Sequence, residues 1–292
     1  MAKVFNYILS GILRVLSKLS FKTLYVFSDI ICFFAYYIIR YRRKVLRENL
    51  TNAFPEKNKN EIIILEKKFY RHLSDSFLEA VKVLDMDKSE IMKRMKFLNS
   101  ELVDEHIKNG ESIILCLGHY GNWEWIPSLY LWIKEDCFGG QLYRPLKNTF
   151  FDQFYLDIRQ KWGTICIPKN DVLREIRNIK ETKRPFLIGF MADQTPSKTN
   201  IHYWTQFLNQ ESAILIGPEK IASKGNYTLL YLDIKRVSRG YYTGEYKLIT
   251  DKPKESAPFY ITETYVRMME ETILRDPAFW LWTHKRWKHK KE

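Results

Sequence analysis

A histidine and a carboxylate five residues apart follow a short apolar run. The run, Ile113–Leu117, has the length and composition of a buried strand, and His119 and Glu124 come after it where helical spacing begins. Reactive side chains of α/β proteins are often found at such strand ends. A histidine held by a carboxylate is a general base that can remove a proton from a hydroxyl. We therefore predict that His119 is a base and that Glu124 orients it.

Glycines and an asparagine surround this histidine, in the order Gly118, His119, Tyr120, Gly121, Asn122. Glycine leaves room for a substrate, which favours a catalytic histidine over a structural one. Histidine has an ordinary pKa of about 6.5, so a neutral ring can act as a base near neutral pH. Asn122 is predicted to cap the following helix or to bind substrate, and the N–H groups at that helix start could hold an oxyanion or a phosphate.

Polar residues also follow two later predicted strands. Arg144 ends one of them, and Asp193 with Gln194 ends another. Because strand ends at one edge of a sheet converge, we expect these side chains near His119 as substrate-binding groups. The planar guanidinium of Arg144 suits phosphate, although an ion pair with Asp193 is an alternative. Arg159 is a further candidate for an acidic lipid, or else a solvated helix position.

A metal site is an alternative to these interpretations. His119, Glu124 and Asp193 could serve a metallohydrolase, but their spacing matches no known zinc motif, and we predict neither a metal nor a cofactor. The cysteines also lack metal-binding spacing. Cys116 and Cys166 lie in apolar, strand-like runs and are predicted to be buried free thiols.

The elements that must position these residues alternate between strands and helices after residue 112. Such alternation predicts an α/β fold, a mixed central sheet covered by helices, and we found no internal repeat. Residues 60–98 and 101–109 are predicted to be helical before the first strand. The predicted strands are Ile113–Leu117, Gly140–Tyr143, Thr164–Ile167, Phe186–Phe190, Tyr227–Ile234 and Glu245–Ile249. The predicted later helices are Phe150–Trp162, Asp171–Lys183, Ile214–Lys224 and Tyr260–Leu274.

The N-terminal segment has the pattern of a membrane-associating region. Residues 1–22 predict an amphipathic helix with a wide apolar face that includes Val4 and Phe5, and Leu24–Ile39 is nearly all apolar. Arginines and lysines follow at once, as they do where anionic lipid faces the cytoplasm. Whether Leu24–Ile39 spans or lies in the bilayer stays open, because a span needs about 20 apolar residues. We predict a membrane-associating segment over 1–47 and an α/β domain over 48–292.

A net charge of +13 indicates an acidic partner. Anionic membrane lipid and an acidic carrier protein fit this charge, whereas no nucleic-acid-binding motif is present, so no nucleic acid is predicted. The stretch from Asp276 to Lys288 mixes tryptophans with cations, as membrane-interface segments do. Within it, His284 and Arg286 are interpreted as surface or membrane-facing charges.

Several of these motifs together resemble one known family. Gly118 to Glu124 is similar to the HxxxxE motif of the lipid A biosynthesis acyltransferases of the lauroyl/myristoyl type, within the lysophospholipid acyltransferase superfamily. The resemblance covers most of the chain in order. It extends to Asn49-Leu50, Ala53-Phe54-Pro55, Tyr143-Arg144-Pro145, Ala192-Asp193-Gln194, Gly217-Pro218-Glu219-Lys220-Ile221-Ala222 and Trp280-Leu281-Trp282-Thr283-His284-Lys285-Arg286-Trp287.

This resemblance implies transfer of a fatty acyl group, commonly from acyl carrier protein, to a hydroxyl of a lipid A precursor. It places the reaction at the cytoplasmic face of the bacterial inner membrane, without a metal. It implies that His119 is the general base, that Glu124 orients it, and that Arg144 and Asp193 serve activity or substrate binding. One departure is Asn209, which stands where the family usually has a glycine turn; asparagine can also adopt the required positive φ.

Other functions remain open at this point. Acyl-CoA could replace acyl carrier protein as the donor. The acceptor could be a lysophospholipid or an aminolipid, because the same base and membrane platform serve either reaction. A non-catalytic membrane-binding protein with this fold is the alternative outside the enzymes. Acyl-chain length and the position of the acceptor hydroxyl are not predicted.

Overall fold

The computed structural model describes the backbone of residues 2–291 and the side chains of residues 6–291. Val4 and Phe5 of the predicted amphipathic face therefore lie outside the described side chains. A mixed sheet with helices on it forms the body of the protein, as the alternation of strands and helices predicts.

The large sheet has seven strands in the order β1-β9-β8-β2-β5-β3-β4. All neighbouring strands run parallel except β8 and β9, which form a long antiparallel pair. β2 lies near the middle of the sheet, and all five of its residues are buried, as is usual for a parallel strand covered on both faces. The strands of this sheet are β1 (Met95–Leu98), β2 (Ile113–Leu117), β3 (Phe138–Tyr143), β4 (Ile165–Pro168), β5 (Phe186–Met191), β8 (Thr228–Ser238) and β9 (Tyr241–Thr250).

A separate antiparallel hairpin consists of β6 (Trp204–Phe207) and β7 (Gln210–Ala213), which were not predicted. Leu208 and Asn209 form its two-residue turn with φ values of 51° and 59°. Two positive φ angles are what a tight hairpin turn of this kind needs, and asparagine tolerates them well. Asn209 thus provides the positive φ expected of it, and its side chain donates a hydrogen bond to the Ala53 carbonyl oxygen over 3.0 Å.

Helices cover the sheet, and five α-helices precede its first strand β1 in the described part of the chain. The longest, α4, begins with a capping box in which Asn58 and Glu61 bond each other's backbone N–H groups. The α-helices are α1 (Ala2–Lys18), α2 (Phe21–Phe33), α3 (Arg43–Ala53), α4 (Lys59–Lys82), α5 (Lys88–Arg94), α6 (Glu101–Lys108), α7 (Thr149–Gln160), α8 (Val172–Glu181), α9 (Gly217–Gly225) and α10 (Tyr260–Arg275).

One local prediction was wrong. Met95–Leu98 lies in a region predicted to be helical, but it forms the edge strand β1, which pairs with β9 and alternates buried with exposed residues. The helix predicted after His119 is present, as the 3₁₀ helix Trp123–Leu131. Pro127 inside it has no N–H to donate, which weakens an α-helical hydrogen-bond pattern.

The N-terminal elements pack on the domain along α4. α2 continues into a π-helical turn, Phe34–Ile38, and Phe21–Ile38 is the one described segment that is long and apolar enough to cross a membrane by length and composition, with 18 residues and a mean hydropathy of 1.3. Only 17% of it is buried in the protein. The boundary predicted between residues 47 and 48 falls inside α3.

Candidate active site

His119 and Asp193 form the centre of the site. Nδ1 of His119 lies 2.7 Å from Oδ1 of Asp193, and the His119 backbone N–H donates to Oδ2 over 2.9 Å. The sheet register explains the contact, because Leu117 of β2 is paired with Met191 of β5. Each site residue comes two positions after one of these partners, so the parallel strands deliver both side chains to the same edge.

The ionised carboxylate of Asp193 determines which ring nitrogen of His119 carries the proton. Burial alone would raise the pKa of Asp193, but the charge of His119 and the hydrogen bonds from His119 and Trp280 lower it to about 2. At neutral pH the carboxylate can only accept, so Nδ1 of His119 must carry the donated proton. When the ring is neutral, Nε2 carries the lone pair, and the side-chain nitrogen of Gln194 lies 3.2 Å from it.

Glu124 does not make the predicted contact with His119. Its carboxylate accepts two hydrogen bonds of 2.7 Å from Arg159 and one of 3.0 Å from the Trp123 indole N–H. Burial would lower the pKa of Arg159, but the charge of Glu124 outweighs burial and raises it above the ordinary value. The carboxylate that orients the imidazole is therefore Asp193, and Arg159 is neither a solvated residue nor a free binding group.

The observed geometry also separates the residues considered for a metal site. Glu124 is held at Arg159, so His119, Glu124 and Asp193 do not assemble as the ligand set of a metallohydrolase. Within residues 6–291, no cluster of three or more histidine, cysteine, aspartate or glutamate side chains could hold a metal ion.

Asn122 is buried, whereas Arg144 is exposed to solvent. The Asn122 side chain does not cap the 3₁₀ helix but donates a 2.8 Å hydrogen bond to the buried carboxylate of Glu79. Arg144 follows β3 and is exposed, and it forms no ion pair with Asp193 or with any other described side chain. Of the predicted binding residues, Asp193 and Gln194 touch His119, Asn122 is part of a buried network, and Arg144 faces solvent.

The glycines beside His119 serve the packing of the protein. A Cβ atom on Gly118 would come within 2.4 Å of the Met269 side chain, so this space is filled by the protein itself. Gly121 has a φ of 62°, and its carbonyl oxygen lies 3.1 Å from Nε2 of the buried His72. These glycines shape the turn that carries His119, rather than clearing room for a ligand.

The C-terminal aromatic stretch, predicted to face the membrane, forms a wall of the site. Trp280 and Trp282 are buried, the Trp280 indole donates to Asp193 over 2.8 Å, and the Leu281 N–H donates to the His119 carbonyl oxygen over 3.1 Å. The prediction of a membrane-interface tail was thus wrong. The continuous apolar run Ala278-Phe279-Trp280-Leu281-Trp282 was the available sign of a buried segment.

Of two charged or titratable residues in this stretch, Arg286 is buried and His284 is half-buried, contrary to the predicted surface role. Arg286 is only 2% exposed, and burial lowers its pKa to about 10. Its Nε and Nη1 atoms find no hydrogen-bond partner among the described residues. His284 accepts a 3.3 Å hydrogen bond from the Thr195 N–H, and burial lowers its pKa to about 4.

An apolar pocket opens next to His119. Trp123 packs edge-on against the His119 ring with 5.5 Å between ring centres and also lines this pocket. The pocket measures about 400 Å³ including its open mouth, and Gly189 contributes no side chain to its wall. Further lining comes from Leu115, Leu117, Ile126, Leu129, Leu142 and Met191. Most of this lining is apolar, so the pocket offers an apolar surface next to the His119 ring.

A part-buried imidazole–carboxylate pair at the ends of parallel strands, beside an apolar pocket, defines an α/β protein with a candidate general base. Residues 2–289 match the family model of the bacterial lipid A biosynthesis acyltransferases, so the chain belongs to that family and is an acyltransferase. The family implies a lipid acceptor and an acyl donor. No curated protein matches the sequence.

Proposed function

We propose that this chain transfers a fatty acyl group from an acyl thioester to a hydroxyl of a lipid A precursor, with His119 as the general base. The observation that carries the proposal is the hydrogen bond from His119 Nδ1 to Asp193, because it makes Nε2 the nitrogen that can take a proton. Family membership supports the reaction class. The orienting carboxylate in this proposal is Asp193.

The reaction balances without a further reactant. His119 Nε2 removes the proton of the acceptor hydroxyl while that oxygen attacks the thioester carbonyl carbon. The C–S bond then breaks, and the imidazolium returns the proton to the leaving thiolate, which gives an ester and a free thiol. Base catalysis by a positioned side chain contributes roughly 10²–10⁴-fold to such a rate.

Groups around His119 can assist this step. The side chain of Gln194 occupies the position at Nε2 that the acceptor hydroxyl must take, so we infer that it moves to donate to bound substrate. The first N–H groups of the Trp123–Leu131 helix have no partner within that helix and can stabilise the oxyanion. Glu124 acts as a positioning residue, because it holds both Arg159 and Trp123.

We propose that the apolar lining of this pocket receives the acyl chain. Its wall at Trp123 adjoins the His119 ring, so a chain lying in the pocket would present its thioester carbonyl near the base. Burial of methylene groups contributes about 0.8 kcal/mol each, which would let this pocket select among acyl chains.

The net charge of the protein and its exposed residues support proposals for the acyl donor and for membrane attachment. The net charge of +13 suits an acidic acyl carrier protein as donor and anionic membrane lipid as platform. Exposed Arg144 is available for a phosphate of the acceptor. We propose attachment through residues 1–47, with the domain over 48–292 at the cytoplasmic face of the bacterial inner membrane.

A reaction with purified components tests the base. Wild-type protein, His119→Ala and the control His202→Ala, which changes an exposed histidine, are given acyl-ACP or acyl-CoA with a lipid A precursor. We expect transfer by the wild type and the control, with acyl-ACP preferred, and a loss of roughly 10²–10⁴-fold for His119→Ala. Undiminished transfer by folded His119→Ala protein would overturn the assignment of the base and favour another catalytic group.

Lipid mass spectrometry of cells that lack the protein tests the acceptor. Loss of one acyl chain from lipid A is the expected result. Unchanged lipid A with altered phospholipids or aminolipids would instead support the lysophospholipid or aminolipid alternative. Unchanged lipids of every class would support a non-catalytic membrane-binding protein.

A further inference from the structure

The helix α2 and its π-helical continuation have two different faces along their whole length. The inward face is buried against the domain and includes Leu24, Ser28 and Tyr36, which are 1%, 0% and 3% exposed. The outward face is apolar and open. Its large side chains are between 37% and 69% exposed, and they are Val26, Phe27, Ile30, Ile31, Phe33, Phe34, Tyr37, Ile38 and Ile39.

Hydrogen bonds and ion pairs fasten the inward face to the domain. The Tyr25 hydroxyl donates to Glu79 over 2.8 Å, and the Ser28 hydroxyl donates to Asp75 over 2.6 Å. Asp75 is fully buried and also binds Arg239, which in turn forms a 2.7 Å ion pair with Asp29. These contacts lie at the centre of the segment, so α2 is part of the folded domain rather than a separate span.

If α2 crossed the membrane, the polar and charged side chains that fasten it to the domain would enter the bilayer. If α2 crossed while docked, α4 and the paired charges of Asp75 and Arg239 would enter the hydrocarbon region, where charged groups are strongly disfavoured. If α2 left the domain to cross alone, Tyr25, Ser28 and Asp29 would enter the hydrocarbon without their partners. A flat orientation avoids both costs, because only the outward apolar face meets the acyl chains.

Exposed cations flank the apolar face at its two ends. Lys22 precedes it, and Arg40 and Lys44 follow it, and none of the three forms an ion pair with a described side chain. Cations at both ends of one apolar stripe complement a negatively charged surface that runs parallel to the helix. A spanning helix would place the two ends at opposite surfaces of the membrane.

We propose that Phe21–Ile38 does not cross the membrane but lies flat in one leaflet of an anionic lipid bilayer, with both ends on the same side. The proposal rests on the membrane attachment included in the proposed function, and it is independent of the acceptor. It gives the domain a fixed orientation, because α2 cannot roll without breaking its contacts to Asp75 and Glu79.

Spin-label depth measurements on the full chain test the orientation. Single cysteines replace Thr23, Phe27, Ile30, Phe34 and Ile38, which form one outward stripe, in a background in which Cys32 and Cys137 are serine. Vesicles contain phosphatidylcholine and phosphatidylglycerol. We expect all five labels at similar depths, about 5–10 Å below the headgroups.

A label that is deepest at Ile30, with the labels at Thr23 and Ile38 near opposite surfaces of the membrane, would overturn the flat orientation while leaving attachment intact. Labels that all remain in water would overturn attachment itself, and with it the proposed membrane platform. Acyl transfer in detergent solution, measured on the same samples, separates either failure from a failure of the chemistry.

A charge-matched comparison tests the choice of anionic lipid. The triple variant Lys22→Gln, Arg40→Gln, Lys44→Gln should lose about 100-fold in affinity for phosphatidylglycerol-containing vesicles, since each cation contributes roughly fivefold. The control Lys88→Gln, Lys93→Gln, Lys96→Gln removes the same charge from exposed positions of α5 and β1. Equal losses in both variants would contradict a specific anionic contact along α2.

Discussion

The imidazole of His119 and the carboxylate of Asp193 are joined by a 2.7 Å hydrogen bond, although 74 residues separate them in the chain. Trp280 donates a second hydrogen bond to the same carboxylate over 2.8 Å. Three distant parts of the sequence thus determine which nitrogen of His119 carries the proton. This relationship leads to the first prediction.

Replacing Asp193 with asparagine should reduce kcat roughly 10²–10⁴-fold, because an amide can stabilise the unproductive tautomer and cannot balance the imidazolium. The pH profile of kcat should shift as well, since the carboxylate charge next to His119 is lost. Steady-state kinetics of acyl transfer would measure both effects. Asp251→Asn, which changes an exposed aspartate, is the matched control. A folded Asp193→Asn enzyme with wild-type kinetics would contradict the assigned role.

Glu124→Gln should act mainly through Arg159. The pair is largely buried, with side-chain exposures of 8% and 19%, so removing the carboxylate leaves an unpaired cation at a cost of about 3 kcal/mol or more. Adding Arg159→Met should recover most of that stability. Urea denaturation of the single and double variants checks this. If Glu124 instead orients His119 directly, the double variant should be fully stable and its kcat should still show the shifted pH profile expected of Asp193→Asn.

Acid should weaken the fold through His72. Burial and the nearby charge of Arg236 lower its pKa to about 3, against an ordinary value of about 6.5. Between these pH values the unfolded chain binds a proton that the folded chain does not, so the free energy of unfolding falls as pH decreases. The contribution is about 2 kcal/mol between pH 6.5 and pH 5. Burial lowers the pKa of His284 too, which adds an effect of the same sign.

Urea denaturation at the two pH values measures this dependence. His72→Gln keeps a side-chain donor for the Gly121 carbonyl but cannot titrate, so its stability should change less with pH. The exposed His202→Gln should behave like the wild type. An unchanged pH dependence in His72→Gln would show that other groups cause it.

Gly189→Val should shorten the preferred acyl chain. A Cβ atom there would lie 3.6 Å from the Leu117 side chain, an ordinary contact, so the larger side chain fits the backbone and fills part of the pocket. Each methylene that no longer fits should reduce kcat/KM about fourfold. A series of acyl donors of increasing length measures the profile. Gly217→Val, with open space around its Cβ position, is the control. Identical length profiles for the two variants would place the acyl chain elsewhere.

The main strands and helices could be predicted from local sequence patterns. Ile113–Leu117 has the same bounds in sequence and structure, because a central strand buried on both faces is apolar at every position. The helix predicted at Tyr260–Leu274 is also confirmed, with one more residue at its end. Cys116 and Cys166 are free and buried, as their apolar flanks indicate.

Contacts between segments that are distant in the chain could not be predicted from such local patterns. No spacing within the sequence shows that β2 lies beside β5, so the partner of His119 was assigned to the nearest carboxylate in the motif instead of Asp193. The same limit applies to Trp280. Its cation-rich neighbours resemble a membrane interface, whereas its actual surroundings are the residues of the site.

The position of Trp280 has a consequence for how the protein is made. The ribosome synthesises α1 and α2 first and reaches Trp280 161 residues after His119 (280 − 119). At about 5–20 residues per second, this interval lasts on the order of 8–30 s. During that time the apolar face of α2 has emerged, while the hydrogen bond from Trp280 to Asp193 cannot yet form. In the proposed membrane orientation, the apolar face of α2 is therefore available to lipid before the contact between Trp280 and Asp193 can complete the site.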